Sequence, residues 1–210
     1  QLLTAGGDGL IKVWAMPPVP ARALAHPDAV LSAALTADAK RLITGGNDKL
    51  VRSWNLANNQ MERQFAGHTA AVTAVAISSN AAALASGGAD ETIRFWNQAN
   101  GQQTDLLGGH AGPVTALAFH PTAPQFLSAA EDGTVKLWQL PLVAPRPLAH
   151  PDVVTSVALS PDGTRLLTGC NDKLARVWNL ANGQLERPLP GNTQAVTAVA
   201  FSANGASAAG

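Results

Sequence analysis

The chain has 210 residues, 46% hydrophobic and 13% charged, which is enough apolar chain for a sizeable core and too little charge for a disordered tail. Fourteen Lys and Arg balance fourteen Asp and Glu, so there is no basic excess of the kind that marks a nucleic-acid surface. The single Cys170 excludes an intrachain disulfide and a multi-cysteine metal site, and no apolar run approaches the length of a membrane-spanning helix. The chain begins at Gln1 with no basic-then-apolar leader, and it reads as a processed, excised or engineered piece.

In chain order, QLLTA at the start predicts a short strand. The turn GGDG follows, then LIKVW, a second strand ending at Trp14. A Pro-rich stretch leads to AVLSAAL, an alternating run, then RLITG, the acidic turn GGND, LVRSW ending at Trp54, and MERQFAG. The same succession returns as AVTAVAI, ALASG, GGAD and TIRFW, as PVTALAF, QFLSA, AEDG and TVKLW, and as VVTSVAL, RLLTG, GCND and LARVW. A final AVTAVAF closes the chain. The tryptophans Trp14, Trp54, Trp96, Trp138 and Trp178 are 40, 42, 42 and 40 residues apart. Each run is 5–8 residues long with period-two character, and none keeps a helical period. The prediction is an all-β chain with four strands per unit: a (AVTAVAI), b (RLITG), c (KLVRSW) and d (MERQFAG). One such unit cannot bury both of its faces. Stacking units face to face does, and arranging them in a ring leaves only short, protected edges.

Gly67-His68, Gly109-His110, the turn Ser160-Pro161-Asp162-Gly163 and the Asp-then-Trp frames resemble the WD-repeat (WD40) β-propeller family over essentially the whole chain. The signature Trp-Asp pair is missing: the tryptophans are followed by Asn55, Asn97, Asn179, Ala15 and Gln139. The resemblance implies four-stranded antiparallel blades, five blade-equivalents in all, in one propeller domain or segment over 1–210. It also implies a buried chain of hydrogen bonds in each unit, from Trp to Ser/Thr to His to Asp. Matched to this sequence, the sets are His26–Thr44–Asp48–Trp54, His68–Ser86–Asp90–Trp96, His110–Ser128–Asp132–Trp138 and His150–Thr168–Asp172–Trp178. A fifth would join Asn192, in place of His, to Thr4, Asp8 and Trp14, and this seam would be the least stable unit.

A longer repeat overlies the short one. Residues 8–80 align without gaps to 132–204, with 44 of 73 positions identical, as in a duplicated three-blade block. Ser207–Gly210 falls in the same repeat phase as Gln1–Thr4, and strand a is expected over Gln194–Ser202. Two closures are open. The last strand completes the first blade, or two chains pair their edges into a larger ring.

His68, Ser86 and Asp90 could also be drawn as a hydrolase triad. Against that, the set recurs four times, Ser alternates with Thr in an unchanged frame, and no G-x-S-x-G elbow is present. His120 reads as a solvated turn residue and Cys170 as a packed thiol. Lys12, Arg52, Arg94, Lys136 and Arg176, each two residues before a Trp, read as stems with solvated heads. Binding in the resembled family is expected on the top face, where the residues before the turn acids include Asn47, Ala89, Glu131 and Asn171. The expectation is a non-catalytic protein-interaction scaffold without metal or cofactor. Its partner would be another protein, other domains of a parent chain or a second copy of itself, and not nucleic acid or membrane. The alternative is a propeller fragment whose main property is folding and self-assembly into a ring.

Overall fold

A computed structural model describes residues 2–5, 10–14, 22–140, 146–202 and 208–209. The described chain is all strand and turn. It forms two compact units, Gln1–Leu107 and Gly108–Gly210.

The first unit opens with a three-stranded sheet of β1 (Leu2–Ala5), β2 (Leu10–Trp14) and β3 (Arg22–Ala25). Two four-stranded antiparallel sheets follow. One is β4 (Val30–Leu35), β5 (Arg41–Gly46), β6 (Leu50–Asn55) and β7 (Gln60–Ala66). The other is β8 (Val72–Ile77), β9 (Ala83–Gly88), β10 (Ile93–Asn97) and β11 (Gln103–Leu107). The second unit repeats the pattern with β12 (Val114–Phe119), β13 (Gln125–Ala130), β14 (Thr134–Gln139) and β15 (Arg146–Ala149), then with β16 (Val154–Leu159), β17 (Arg165–Cys170), β18 (Ala175–Asn179) and β19 (Leu185–Leu189). It ends in a two-stranded pair, β20 (Ala200–Phe201) with β21 (Ala208–Ala209). Every four-stranded sheet is a meander of a, b, c and d, joined by the Gly-, Asn- and Asp-bearing turns that such connections need.

Strands b and c are buried because neighbouring sheets cover them. In the first unit Ile43 and Val51 of one sheet pack with Val72, Val75, Leu84 and Trp96 of the next. In the second, Leu127, Val135 and Leu137 pack with Val154, Leu166, Trp178 and Leu180. Each such side chain contributes about 1.5–3 kcal/mol when taken from water. The approach is close: a Cβ added at Gly45 would lie 2.7 Å from Val72 Cγ1. The outer d strands stay wet, with Met61, Leu106 and Leu185 exposed. Arg63, Glu62, Arg187 and the N–H-less Pro147 and Pro188 on these edges discourage pairing with other chains.

Strands β4, β8, β12 and β16 each carry a bulge near the start, and in β12 and β16 the bulged threonine reaches the next sheet. Thr115 donates to the Val154 carbonyl, and Thr155 to the Val196 carbonyl. Ser32 Oγ accepts from Val75 N at 3.1 Å, and its block-repeat counterpart Ser156 accepts from Val199 N at 3.2 Å. These hydroxyls tie one sheet to the next inside each unit.

Two expectations are corrected. Strand a was expected over Gln194–Ser202, but only Ala200–Phe201 is strand. Val196 is nevertheless buried, and its N–H reaches Cys170 O at 3.1 Å, so side-chain packing holds this segment where the ladder does not. His120 is not a solvated turn residue. Its Nδ1 accepts from Ala123 N at 2.7 Å and Thr122 N at 3.2 Å, which leaves Nε2–H to donate to Gly163 O at 2.9 Å. His120 therefore pins the a–b turn of the following sheet. Gly163 lies there at φ 69°, and a Cβ would run into the His120 ring. Ala39 holds φ 54° in the matching turn of the first unit, so the clash adds to a left-handed strain that the fold already accepts elsewhere. Gly163→Ala is expected to cost about 2 kcal/mol, measured by urea unfolding. A loss under about 0.5 kcal/mol would mean that His120 yields without cost.

Candidate functional site

The side chains that sequence reading singled out converge at the b–c turn of each complete sheet. Strand c places the tryptophan directly opposite a b-strand residue, as in Trp96 against Leu84 and Trp54 against Leu42. The indole then reaches the hydroxyl two residues further along strand b. Trp54 Nε1 donates to Thr44 Oγ1 at 3.1 Å, Trp96 to Ser86 at 2.8 Å, Trp138 to Ser128 at 2.9 Å and Trp178 to Thr168 at 3.1 Å. On its other side each hydroxyl meets the Nε2 of a histidine from the loop before strand a: His26 at 3.0 Å, His68 at 2.8 Å, His110 at 2.8 Å and His150 at 2.9 Å.

Indole can only donate, so each hydroxyl oxygen accepts from Trp; on the far side each Nδ1 faces a carbonyl or carboxylate acceptor and must donate, so in the neutral ring Nε2 takes the hydroxyl proton. Nε2 is therefore unprotonated and Nδ1 carries the hydrogen. Burial disfavours the charged form of all four rings, in keeping with this tautomer. Burial lowers the pKa of His26, His68 and His110 and carries His150 down to about 4.

Beyond the imidazole the four sets divide into two kinds. His68 Nδ1–H donates to Asp90 at 3.0 Å, and His110 Nδ1–H to Asp132 at 2.9 Å. Burial alone would raise these carboxyls. For Asp90 the Thr69 N–H, the Thr92 hydroxyl and His68 outweigh burial, and for Asp132 the Ala111 N–H, His110 and Thr134 do the same. Both are held at about 2. His26 and His150 instead donate from Nδ1 to the carbonyls of Leu24 and Leu148, both at 3.0 Å. The expected His26–Asp48 and His150–Asp172 links are thus not made. Asp48 receives Arg52 in a two-pronged pair, at 3.2 and 2.5 Å, and Asp172 receives Arg176 in the same way. Arg52 and Arg176 are buried at 5% and 8% exposure, so the reading of these two as stems with solvated heads is also corrected.

The cause of the division is local. In the first kind, the residue after His donates its backbone N–H to the acid, from Thr69 at 2.9 Å and Ala111 at 3.0 Å. In the second kind that residue is Pro27 or Pro151, which has no N–H. The acid also loses a hydroxyl partner, because Leu50 and Leu174 stand where Thr92 and Thr134 serve the other two. With two donors gone, the carboxylate turns to the arginine four residues on. The sequence marks the two kinds as His-Pro-Asp against Gly-His.

The side chains of Thr4, Asp8 and Trp14 lie outside the described residues, so the fifth set is not placed, and Asn192 is exposed. Cys170 is buried, its Sγ is 3.2 Å from Asp152 O, and burial pushes the thiol pKa up. Asn47, Glu131 and Asn171 are exposed at their turns and Ala89 is half-buried. The N–H of each is tied to a carbonyl before strand a, those of Ala29, Ala71, Pro113 and Val153. Among the described residues no group of three or more His, Cys, Asp and Glu is arranged to hold a metal ion.

As chemistry, the set is sealed. Ser86, Ser128 and Thr168 are 0% exposed and Thr44 is 1% exposed. Each oxygen already takes an indole N–H, which withdraws the electron density that a nucleophile needs. The repeat family described as WD domain, G-beta repeat, matches residues 19–55, 59–97, 101–139 and 146–179. No curated protein matches the chain.

Proposed function

The chain belongs to the WD-repeat family, whose repeats typically mediate protein interaction, and on that premise we propose that it is a non-catalytic protein-interaction scaffold. The observation that carries this reading is the enclosure of every candidate nucleophile between an indole and an imidazole. Four copies of a sealed hydrogen-bond chain serve rigidity, and they leave the exposed turns around Asn47, Glu131 and Asn171 free to vary.

Two measurements test it. A fluorophosphonate that labels activated serines should leave the folded chain unmodified. Labelling of Ser86 or Ser128 would replace the scaffold with a hydrolase. Affinity purification should retain a discrete protein partner that is lost when Glu131→Lys and Asn171→Arg alter the turns. A partner unaffected by these changes would place binding elsewhere.

The second reading is self-association into one larger ring. It is supported by the first sheet, which has three strands among the described residues where the complete blades have four. Native mass separates the two: about 21.5 kDa for one chain, twice that for a paired ring.

A further inference from the structure

Two places in the repeat carry a polar residue in one copy alone. Directly before the tryptophan stand Val13, Phe95, Leu137 and Val177, and in the remaining copy Ser53. Two residues after the tryptophan stand Met16, Leu56, Leu140 and Leu180, and in the remaining copy Gln98. These two departures lie on neighbouring blades of the first unit and line one cavity of about 590 Å³.

Ser53 is 4% exposed and lines the cavity. The Gln98 amide nitrogen is shielded from solvent and has no acceptor. Leaving a buried polar group unmet is costly, and the second unit avoids it at these two places, though its Arg146 Nε is also buried without an acceptor. There the same two places hold Leu137 and Leu180, which join one buried apolar cluster.

The rest of the lining sets the charge. Arg63 lies across the strands from Ser53, as Arg146 lies across from Leu137. Arg63 gives one N–H to Ala99 O at 2.8 Å, and Arg146 likewise binds the Leu180 and Ala181 carbonyls. This arginine is therefore part of the common frame. Arg41 Nε donates to Glu62 at 2.7 Å, and the second oxygen of Glu62 takes the Asn55 amide at 3.0 Å. Both oxygens of the one carboxylate are thus engaged. What is left over is donors: the outer N–H groups of Arg41, the remaining N–H groups of Arg63 and the Gln98 amide. The lining carries two positive charges against one negative.

We propose that this cavity binds a small oxyanion, a carboxylate or phosphate group, with Arg63 and Arg41 supplying the charge and Ser53 and Gln98 receiving its oxygens. Guanidinium groups match the geometry of both anions, and the volume falls in the range of small-molecule sites. The proposal does not rest on the scaffold reading.

The test is an NMR titration of the ¹⁵N-labelled chain with inorganic phosphate and, separately, with succinate, at ionic strength held constant with sodium chloride. Saturable shifts are expected at the Gln98 side-chain amide and at the Ser53 and Ala99 backbone amides. A response to phosphate alone or to succinate alone supports the site and identifies the group it prefers. The double variant Ser53→Leu with Gln98→Leu copies the second unit, and it should bind at least about tenfold more weakly while unfolding at equal or higher denaturant. Gln98→Glu places a negative charge at the rim without refilling the core and should weaken binding to a similar degree. No saturable shift with either anion, or shifts unchanged in these variants, overturns the proposal.

Discussion

Replacing Ser86 with alanine should destabilise the protein by about 2–4 kcal/mol, because one missing oxygen strands two buried groups at once. The Trp96 N–H loses its acceptor at 2.8 Å and His68 Nε2 loses its donor, also at 2.8 Å. Ser86 is fully buried, so water does not replace either partner without opening the sheet. Ser86→Thr is the informative companion. Thr44 and Thr168 fill the same place in other blades, so its cost should stay within about 1 kcal/mol. Chemical unfolding of both variants checks the argument. A Ser86→Ala loss below about 0.5 kcal/mol would reduce the chain of contacts to a by-product of packing.

Acid should weaken the fold well before its carboxylates titrate. His150 has its pKa lowered to about 4, first by burial and then by the positive charge of Arg176, against the pull of the Leu148 carbonyl and Asp172. The unfolded chain takes up a proton near pH 6.5 and the folded chain does not. Between these values the unfolded state binds more protons, so stability rises with pH and is lost as pH falls from about 6.5 to 4. His150 alone accounts for about 3 kcal/mol across that window. His26, His68 and His110 shift in the same direction and add to it. Asp90 and Asp132, at about 2, contribute stability that is present above the ordinary carboxylate range and is lost only as pH falls further, toward 2. Urea unfolding at pH 7, 6, 5 and 4.5 should show this slope, and His150→Gln should reduce it by about one proton. A flat profile down to pH 4.5 would contradict burial of neutral imidazoles.

The blades were legible because two independent signals agreed: period-two runs such as AVTAVAI, and tryptophans at nearly constant spacing. The inner half of each site was expected from the family resemblance, which matched Trp96, Ser86 and His68 residue by residue. The outer half departs from it in two of the four sets. Whether Asp48 meets His26 or Arg52 is decided by the backbone N–H that Pro27 lacks, a detail of one loop that no strand pattern carries. His120 reads as a solvated turn residue in the sequence because its partner, the Gly163 carbonyl, is 43 residues away on the next blade. Ser53 and Gln98 were visible as polar residues in apolar columns, but only the packing of adjacent sheets puts them on one cavity. The segment before Ala200 kept its alternating pattern yet did not become strand, because alternation predicts which face is buried and not whether a partner edge is present.

Hydrogen exchange at the tryptophan side chains tests the central claim most directly. In ¹⁵N spectra the indole protons of Trp54, Trp96, Trp138 and Trp178 should exchange on the order of a hundredfold or more slowly than those of an unfolded chain, all four protected by the same Ser/Thr–His cover. Indole protons that exchange as freely as in the denatured state would show that the repeated hydrogen-bond chain does not hold these blades together.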